Sequence, residues 1–303
     1  MQKDPLFEPM VYGKDLIDLT ASPKFSYRKE VWRRLKQNTM GMIGLCILTF
    51  LILMALIGPS LSAHTYFETH LPLKNQAPSL NFWFGTDELG RDIFTRIWWG
   101  ARISLLVGIS ASLIDLVVGV FYGSICGYAG GKIDEFMMRI ADILSTIPYL
   151  LVVILLMVIV GPGLVSIILA LSLTGWIGMA RIVRGQVLQI KELDYVTAAT
   201  ALGAPPFWIL TKHLIPNTMG SIIVTLTLSI PTAIFAEAFL SFLGLGVQAP
   251  IASWGTMASD GLPALRYYPW RLFFPAAFIS ITMLSFNLLG DALRDALDPR
   301  LKI

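Results

Sequence analysis

The sequence predicts an all-α integral membrane protein with six transmembrane helices and a cytoplasmic helix-turn-helix loop. Three observations carry that prediction. Of 303 residues, 55% are hydrophobic and only 14% charged, against about 25% charged in soluble domains, and the mean hydropathy is +0.68. Six apolar runs follow one another, each near the ~20 residues needed to cross a hydrocarbon core. Between the fourth and fifth lies an island of mixed polarity, Asp194 to Pro216, which must leave the bilayer and return.

Residues 1–40 are polar and carry Lys3, Lys14, Lys24, Arg28, Lys29, Arg33, Arg34 and Lys36. This basic lead is too long for a signal peptide, and no small-x-small site follows at Ala63. It reads as a cytoplasmic tail flanking a span rather than a nucleic-acid contact. The membrane-spanning body covers residues 41–290, with spans at about Gly41–Ser62, Ile103–Tyr128, Ile143–Val160, Leu164–Ile182, Met219–Leu245 and Leu272–Leu289. The third is the shortest; it carries Pro148 near its start and closes at Gly161-Pro162-Gly163. Residues 291–303 form a C-terminal tail. With the N-terminus inside, 17 of the basic residues fall in cytoplasmic segments and 6 in outer ones. The positive-inside rule therefore puts both termini and the 183–216 loop in the cytoplasm.

The outer segment 64–102 contains Gly85-Thr-Asp-Glu-Leu-Gly-Arg-Asp92, then Phe94, Ile97, Trp98 and Ala101 at helical spacing. Two tryptophans suit a membrane interface. The expectation is an interfacial helix held by local carboxylate–arginine pairs, each weak. A calcium site from Asp87, Glu88 and Asp92 fits no known loop spacing. In the second span Gly119, Gly123 and Gly127 form a smooth stripe for close helix packing, within this subunit or against another. Asp115 lies one turn from it. An intramembrane carboxylate is costly, so Asp115 is either functional or hydrogen-bonded to a neighbouring helix. The fifth span carries Pro231, Glu237 and Ser241: Pro231 frees a carbonyl, and Glu237 must face protein or water. This is either a helix on a gated pathway or a helix with one buried, hydrogen-bonded carboxylate.

The polar island is built as two short helices. Tyr195, Ala198, Ala199 and Leu202 share one side at helical spacing, and Ala198, Ala199 and Ala201 make that side shallow. Gly203 can supply the left-handed residue that ends the first helix, and Pro205-Pro206 suits the first turn of another. That second helix would run from Phe207 to Leu214 and stop at Pro216. A small-residue face on such a loop suits the groove of another protein.

Enzymatic readings find no support. The phosphate-loop lookalike Gly127-Tyr-Ala-Gly-Gly-Lys-Ile133 has the wrong spacing, and no catalytic residues can be named. Cys46 and Cys126 sit in apolar runs as packing residues; His64, His70 and His213 lack ligand spacing, so no metal site is expected.

Ala198-Ala199, Gly203 and Pro216 together resemble the "EAA" loop of ABC importer permeases, with Thr197 where a glutamate is usual and His213-Leu-Ile-Pro216 where Ile-x-Leu-Pro is usual. Lys212-His-Leu-Ile-Pro-Asn217, the Gly85–Asp92 string, and Glu237-x-x-Leu-Ser-Phe-Leu-Gly-Leu-Gly-Val-Gln248 with Ser253-Trp-Gly255 are similar to the C-type permease subunit of oligopeptide and dipeptide importers. The resemblance spans about Lys29 to Lys302. It implies a bacterial inner-membrane subunit paired with a B-type permease, two cytoplasmic ABC ATPases and an outer-face peptide-binding protein. ATP and Mg would bind those ATPases, leaving this chain without a cofactor, and the spans would alternate access around a central path. A secondary transporter coupling ions through Asp115 and Glu237 is the alternative from another class; nickel or glutathione is the alternative cargo.

Overall fold

Residues 27–297 are described in the computed structural model; the remainder of both predicted tails, residues 1–26 and 298–303, lies outside them. Among the described residues the chain is helical, with one isolated β-bridge between Thr86 and Asp92. Helix α1 (Tyr27–Gln37) carries the last basic residues of the N-terminal tail. Asn38 separates it from α2 (Thr39–Ile57), accepting a hydrogen bond from Gly41 N at 3.0 Å and so capping the first span. After the irregular segment 61–92 come α3 (Ile93–Ala129), α4 (Gly131–Thr146), α5 (Tyr149–Val160) and α6 (Leu164–Ile190). The polar island forms α7 (Asp194–Ala201) and α8 (Pro206–Ile209), and a π-helical turn at Leu210–Leu214 leads into α9 (Ile215–Phe242). Two more helices, α10 (Trp254–Gly261) and α11 (Trp270–Leu297), complete the fold.

Five of these stretches are long and apolar enough to cross a membrane: α2 with its terminal turn, α3, α6, α8 through α9, and α11. The sixth expected span is not one helix. The predicted start at Ile143 falls inside α4, which is amphipathic; Pro148 cannot donate a backbone N–H, and α5 leaves at 83°. With 12 residues, α5 is only about 18 Å long at ~1.5 Å per residue, about half a bilayer core. Gly161 and Gly163, both at positive φ, turn the chain into α6.

Two further expectations are corrected. The residues read as a separate interfacial helix, Phe94 to Ala101, are the first turns of α3, continuous with the second span and buried in the core of the chain. They pack in one cluster with Leu48, Leu51 and Ala55 of α2, Trp254 and Met257 of α10 and Phe286 of α11. Pro216 does not stop a helix. It occupies the first turn of α9, where its missing N–H costs least, and the π-turn before it absorbs the mismatch.

The glycine stripe resolves onto one partner, α6 of the same chain. A Cβ at Gly119 would lie 2.6 Å from Met179 Cβ, one at Gly127 would lie 2.8 Å from Val187 Cβ, and Gly123 abuts the Ala180 backbone. Asp115 continues the seam, its carboxylate lying over Gly175. Near the seam's end Arg184 grips Asp134 of α4 through both guanidinium branches, at 2.5 and 2.6 Å. Helix α1 is held by Leu35 against Ala292 and Ala296 of α11. The sides of α2 and α5 turned away from this packing expose large apolar residues such as Phe50, Leu56 and Val158, as a lipid-facing surface requires.

Candidate functional site

The loop between α6 and α9 is a tightly specified turn. Gly203 sits at φ +82°, a conformation that β-branched residues all but exclude. Gly203 N donates to Thr200 O at 3.0 Å and Ala204 N to Ala199 O at 3.1 Å, which together form a Schellman motif. Pro205 then caps α8 and Pro206 opens it. The first helix is anchored by Val196, 2% exposed, which packs with Val187, Ile209, Leu214 and Ile222.

What faces outward is apolar. Leu202 is 89% exposed and Phe207 74%, with Tyr195 and Trp208 half exposed beside them. Ala198 and Thr197 are exposed and Ala199 is half-buried, so the outward face is centred on Tyr195, Ala198 and Leu202. His213 is half-buried. Its ring packs edge-on to Trp208 at 4.8 Å and lies 5.6 Å from Tyr195. Asn217 donates to the Tyr195 hydroxyl at 3.1 Å and to His213 O at 2.6 Å. These contacts brace α7 directly to the start of α9.

At the other end of α9, Glu237 is fully buried in a knot of hydroxyls. Ser241 donates to one carboxylate oxygen at 2.8 Å and Ser104 of α3 to the other at 3.2 Å. Ser104 in turn accepts from Trp254 N at 3.2 Å, and Trp254 Nε1 donates to Ile97 O at 3.0 Å. Ser253 and Thr256 close a capping box on α10. Glu237, Ser241 and the Ser253-Trp254-Gly255 motif therefore form one unit, joining α3, α9 and α10. Ser104 was not singled out in the sequence, where it is one of four serines along α3 and nothing in the spacing marks it. Pro231 is buried six residues earlier on the same helix. Asp115 stands apart from this knot, about 16 Å along α3 from Ser104 at ~1.5 Å per residue, and its Oδ1 has no hydrogen-bond partner among the described residues. The two carboxylates are not brought together.

The Gly85–Asp92 string is a second lock. Asp87 accepts from the backbone N–H groups of Leu89 and Arg91 and from Arg91 Nε at 2.6 Å, with Arg96 Nε at 3.6 Å. These pairs are buried, not the weak surface pairs the sequence suggested. Asp92 caps α3 by accepting from Phe94 N and Thr95 N, and also from Ser62. Arg271 of α11 donates to Glu88, Asn75 and the Asp260 carbonyl. The aspartates are thus consumed by arginines and backbone N–H groups. No group of three or more metal-ligating side chains occurs among the described residues.

Comparison with known proteins places this architecture. A family model described as "Binding-protein-dependent transport system inner membrane component" matches residues 119–303, and one for the "N-terminal TM domain of oligopeptide transport permease C" matches residues 26–78. The dipeptide transport system permease protein DppC of Bacillus subtilis is 62% identical over 94% of this chain and 89% of its own length. The oligopeptide transport system permease protein OppC of the same organism is 57% identical over the full length of both chains. OppC of Escherichia coli K12 is 42% identical over 88% of this chain and 89% of its own. Among solved structures, the inward-facing MetNI methionine ABC transporter superposes with a TM-score of 0.56 at 21% identity, over 66% of this chain and 94% of the matched one; at that identity it speaks to the fold alone. With its apolar helices, the protein is an integral component of the bacterial inner membrane, a transport subunit rather than an enzyme, working with partner permease and ATPase subunits. The chain belongs to the inner-membrane components of binding-protein-dependent transport systems, and within them to the permease C subunits of the oligopeptide and dipeptide branch.

Proposed function

We propose that this subunit forms one half of the path of a peptide importer and transmits the motion of cytoplasmic ATPases through residues 194–216. Its partners are a B-type permease, two ABC ATPases that bind the ATP and Mg, and an outer-face peptide-binding protein; the chain itself takes no cofactor. Both termini and the 183–216 loop lie in the cytoplasm, in keeping with the charge asymmetry of the segments. Peptide cargo is favoured over nickel or glutathione by the two B. subtilis relatives, named for dipeptide and oligopeptide transport.

One observation carries the reading. An apolar ledge of Tyr195, Leu202, Phe207 and Trp208 is exposed on α7 and α8, and α8 runs through the π-turn into a span. Such a surface is costly to leave in water and suits a groove on another chain. A movement of the docked partner would reach the far end of α9, where Glu237 and Ser241 tie it to α3 and α10. An ion-coupled secondary transporter is disfavoured by the separation of Asp115 from Glu237 and has no use for the ledge.

The test uses Leu202→Glu. The side chain is nearly free of contacts within the chain, so the variant should insert, fold and pair with the other permease. Co-purification of the ATPase and peptide uptake should both fall at least tenfold, equivalent to about 1.4 kcal/mol. Gly203→Val, which strains the Schellman turn, should act in the same direction. Full ATPase retention and wild-type uptake by both variants would reduce the loop to a connector.

A further inference from the structure

The break between α4 and α5 opens a cleft of about 470 Å³ lined by Ser145, Thr146, Pro148 and Tyr149 on one side and by Thr174, Gly178 and Arg181 of α6 on the other. Its depth is set by α6. Thr174 to Gly178 lie about 15–21 Å from the Leu164 end of that span at ~1.5 Å per residue, well inside a hydrocarbon core of about 30 Å. With Ile147 and Ile177 the lining is of mixed polarity, with hydroxyls and a guanidinium at this depth, and the backbone there is not helical: Ile147 is extended and Pro148 donates nothing. Ser145 to Pro148 are all exposed on the surface of the chain. Irregular backbone cannot face lipid; at membrane depth it survives only against protein or a water-filled cavity.

We infer that this cleft is a section of the peptide path, one that holds the backbone of a peptide in transit without reading its side chains. The inference rests on the importer reading above and adds a site to it. The chemistry is matched. The hydroxyl hydrogens of Ser145 and Thr146 are spent on Asp142 O at 2.8 Å and Ile143 O at 2.7 Å, which leaves both oxygens as acceptors for peptide N–H groups. Arg181 stands at the rim, held by Asp142 at 2.8 Å, and offers its remaining N–H donors to peptide carbonyls or a terminal carboxylate. The Tyr149 ring closes the inner side of the cleft against the apolar cluster of Val107, Ala111 and Val153. A peptide backbone alternates donors and acceptors whatever its sequence, so a wall that offers both tolerates many cargoes. The discontinuity of a span is what exposes these groups in the membrane interior.

Thr146→Cys and Thr174→Cys, each in a chain with Cys46 and Cys126 replaced by alanine, test this in the complete transporter reconstituted in liposomes. A small charged methanethiosulfonate should modify both positions. With ATP present, a transported peptide at about ten times its Kd should slow modification roughly tenfold, as 1 + [L]/Kd requires. Val158→Cys, 78% exposed on the apolar side of α5, should resist the charged reagent with or without peptide. Thr146→Val and Thr174→Val should raise the KM for uptake severalfold while ATPase co-purification is retained, which a purely structural role would not produce. Modification indifferent to peptide, in a transporter whose unsubstituted form takes up peptide, would overturn the cleft and leave the importer standing. So would inaccessibility of both cysteines together with their disulfide cross-linking to the partner permease, which would make the break a subunit contact. Absence of peptide uptake by the unsubstituted transporter would remove the importer reading and the cleft with it.

Discussion

Glu237 is fully buried, and its carboxylate accepts hydrogen bonds from hydroxyls of two helices, one of which also receives the N–H of Trp254. Replacing it separates geometry from charge. Glu237→Gln keeps two polar atoms at the same reach, so the knot can re-form with small loss. Glu237→Leu leaves the Ser104 and Ser241 hydroxyls unpaired in a dry site, at about 1–3 kcal/mol for each. Thermal unfolding of the purified transporter should therefore rank wild type and Gln together and Leu clearly below them. Equal stability of Leu and wild type would mean the hydroxyls find other partners. Gly123 makes the complementary case for packing. Its Cα lies against the Ala180 backbone, which cannot rotate away as a side chain could. Gly123→Val should destabilise by about 1–3 kcal/mol or more, whereas Gly178→Ala, with open space at the added Cβ, should be close to neutral by the same assay.

At the scale of elements, the junction between α8 and α9 decides whether the loop only binds or also transmits. The π-turn Leu210–Leu214 keeps the helix continuous across His213 and Pro216, and Asn217 ties it back to Tyr195. Inserting Gly-Gly between Leu214 and Ile215 would leave the apolar ledge intact while making that joint compliant. ATPase co-purification should persist and ATP hydrolysis should continue, while peptide uptake is lost. Retained uptake would show that force reaches the spans by another route. The sequence located both helices and the Gly203 turn here, because Schellman and proline signals are local. It misplaced the end at Pro216, since whether a proline stops a helix depends on which register the preceding turn adopts. The break at Pro148 was marked but its 83° bend was not; that angle is set by how α5 packs along Ile167, Ala170 and Leu171.

For the whole molecule, the charge asymmetry of the segments and the proposed docking of the ledge predict one orientation. Cysteines at Lys74 and Glu192, both exposed, in a background lacking Cys46 and Cys126, should react with a membrane-impermeant reagent from opposite sides. Reaction of both in intact cells would overturn the placement of the 183–216 loop. By itself the sequence determined the class of the protein, the position of most spans, the small-residue stripe and the local turn chemistry of the loop, because each is written in composition or in short-range spacing. Only the tertiary structure decided that the glycine stripe packs on α6, that Glu237 is fastened by Ser104, and that the Asp87 and Asp92 carboxylates are buried with arginines and helix N–H groups. It also decided that the third apolar run breaks at Pro148 into two helices bent by 83°. These are pairings between residues tens of positions apart, and a spacing pattern within one helix carries no term for which neighbour will cover it.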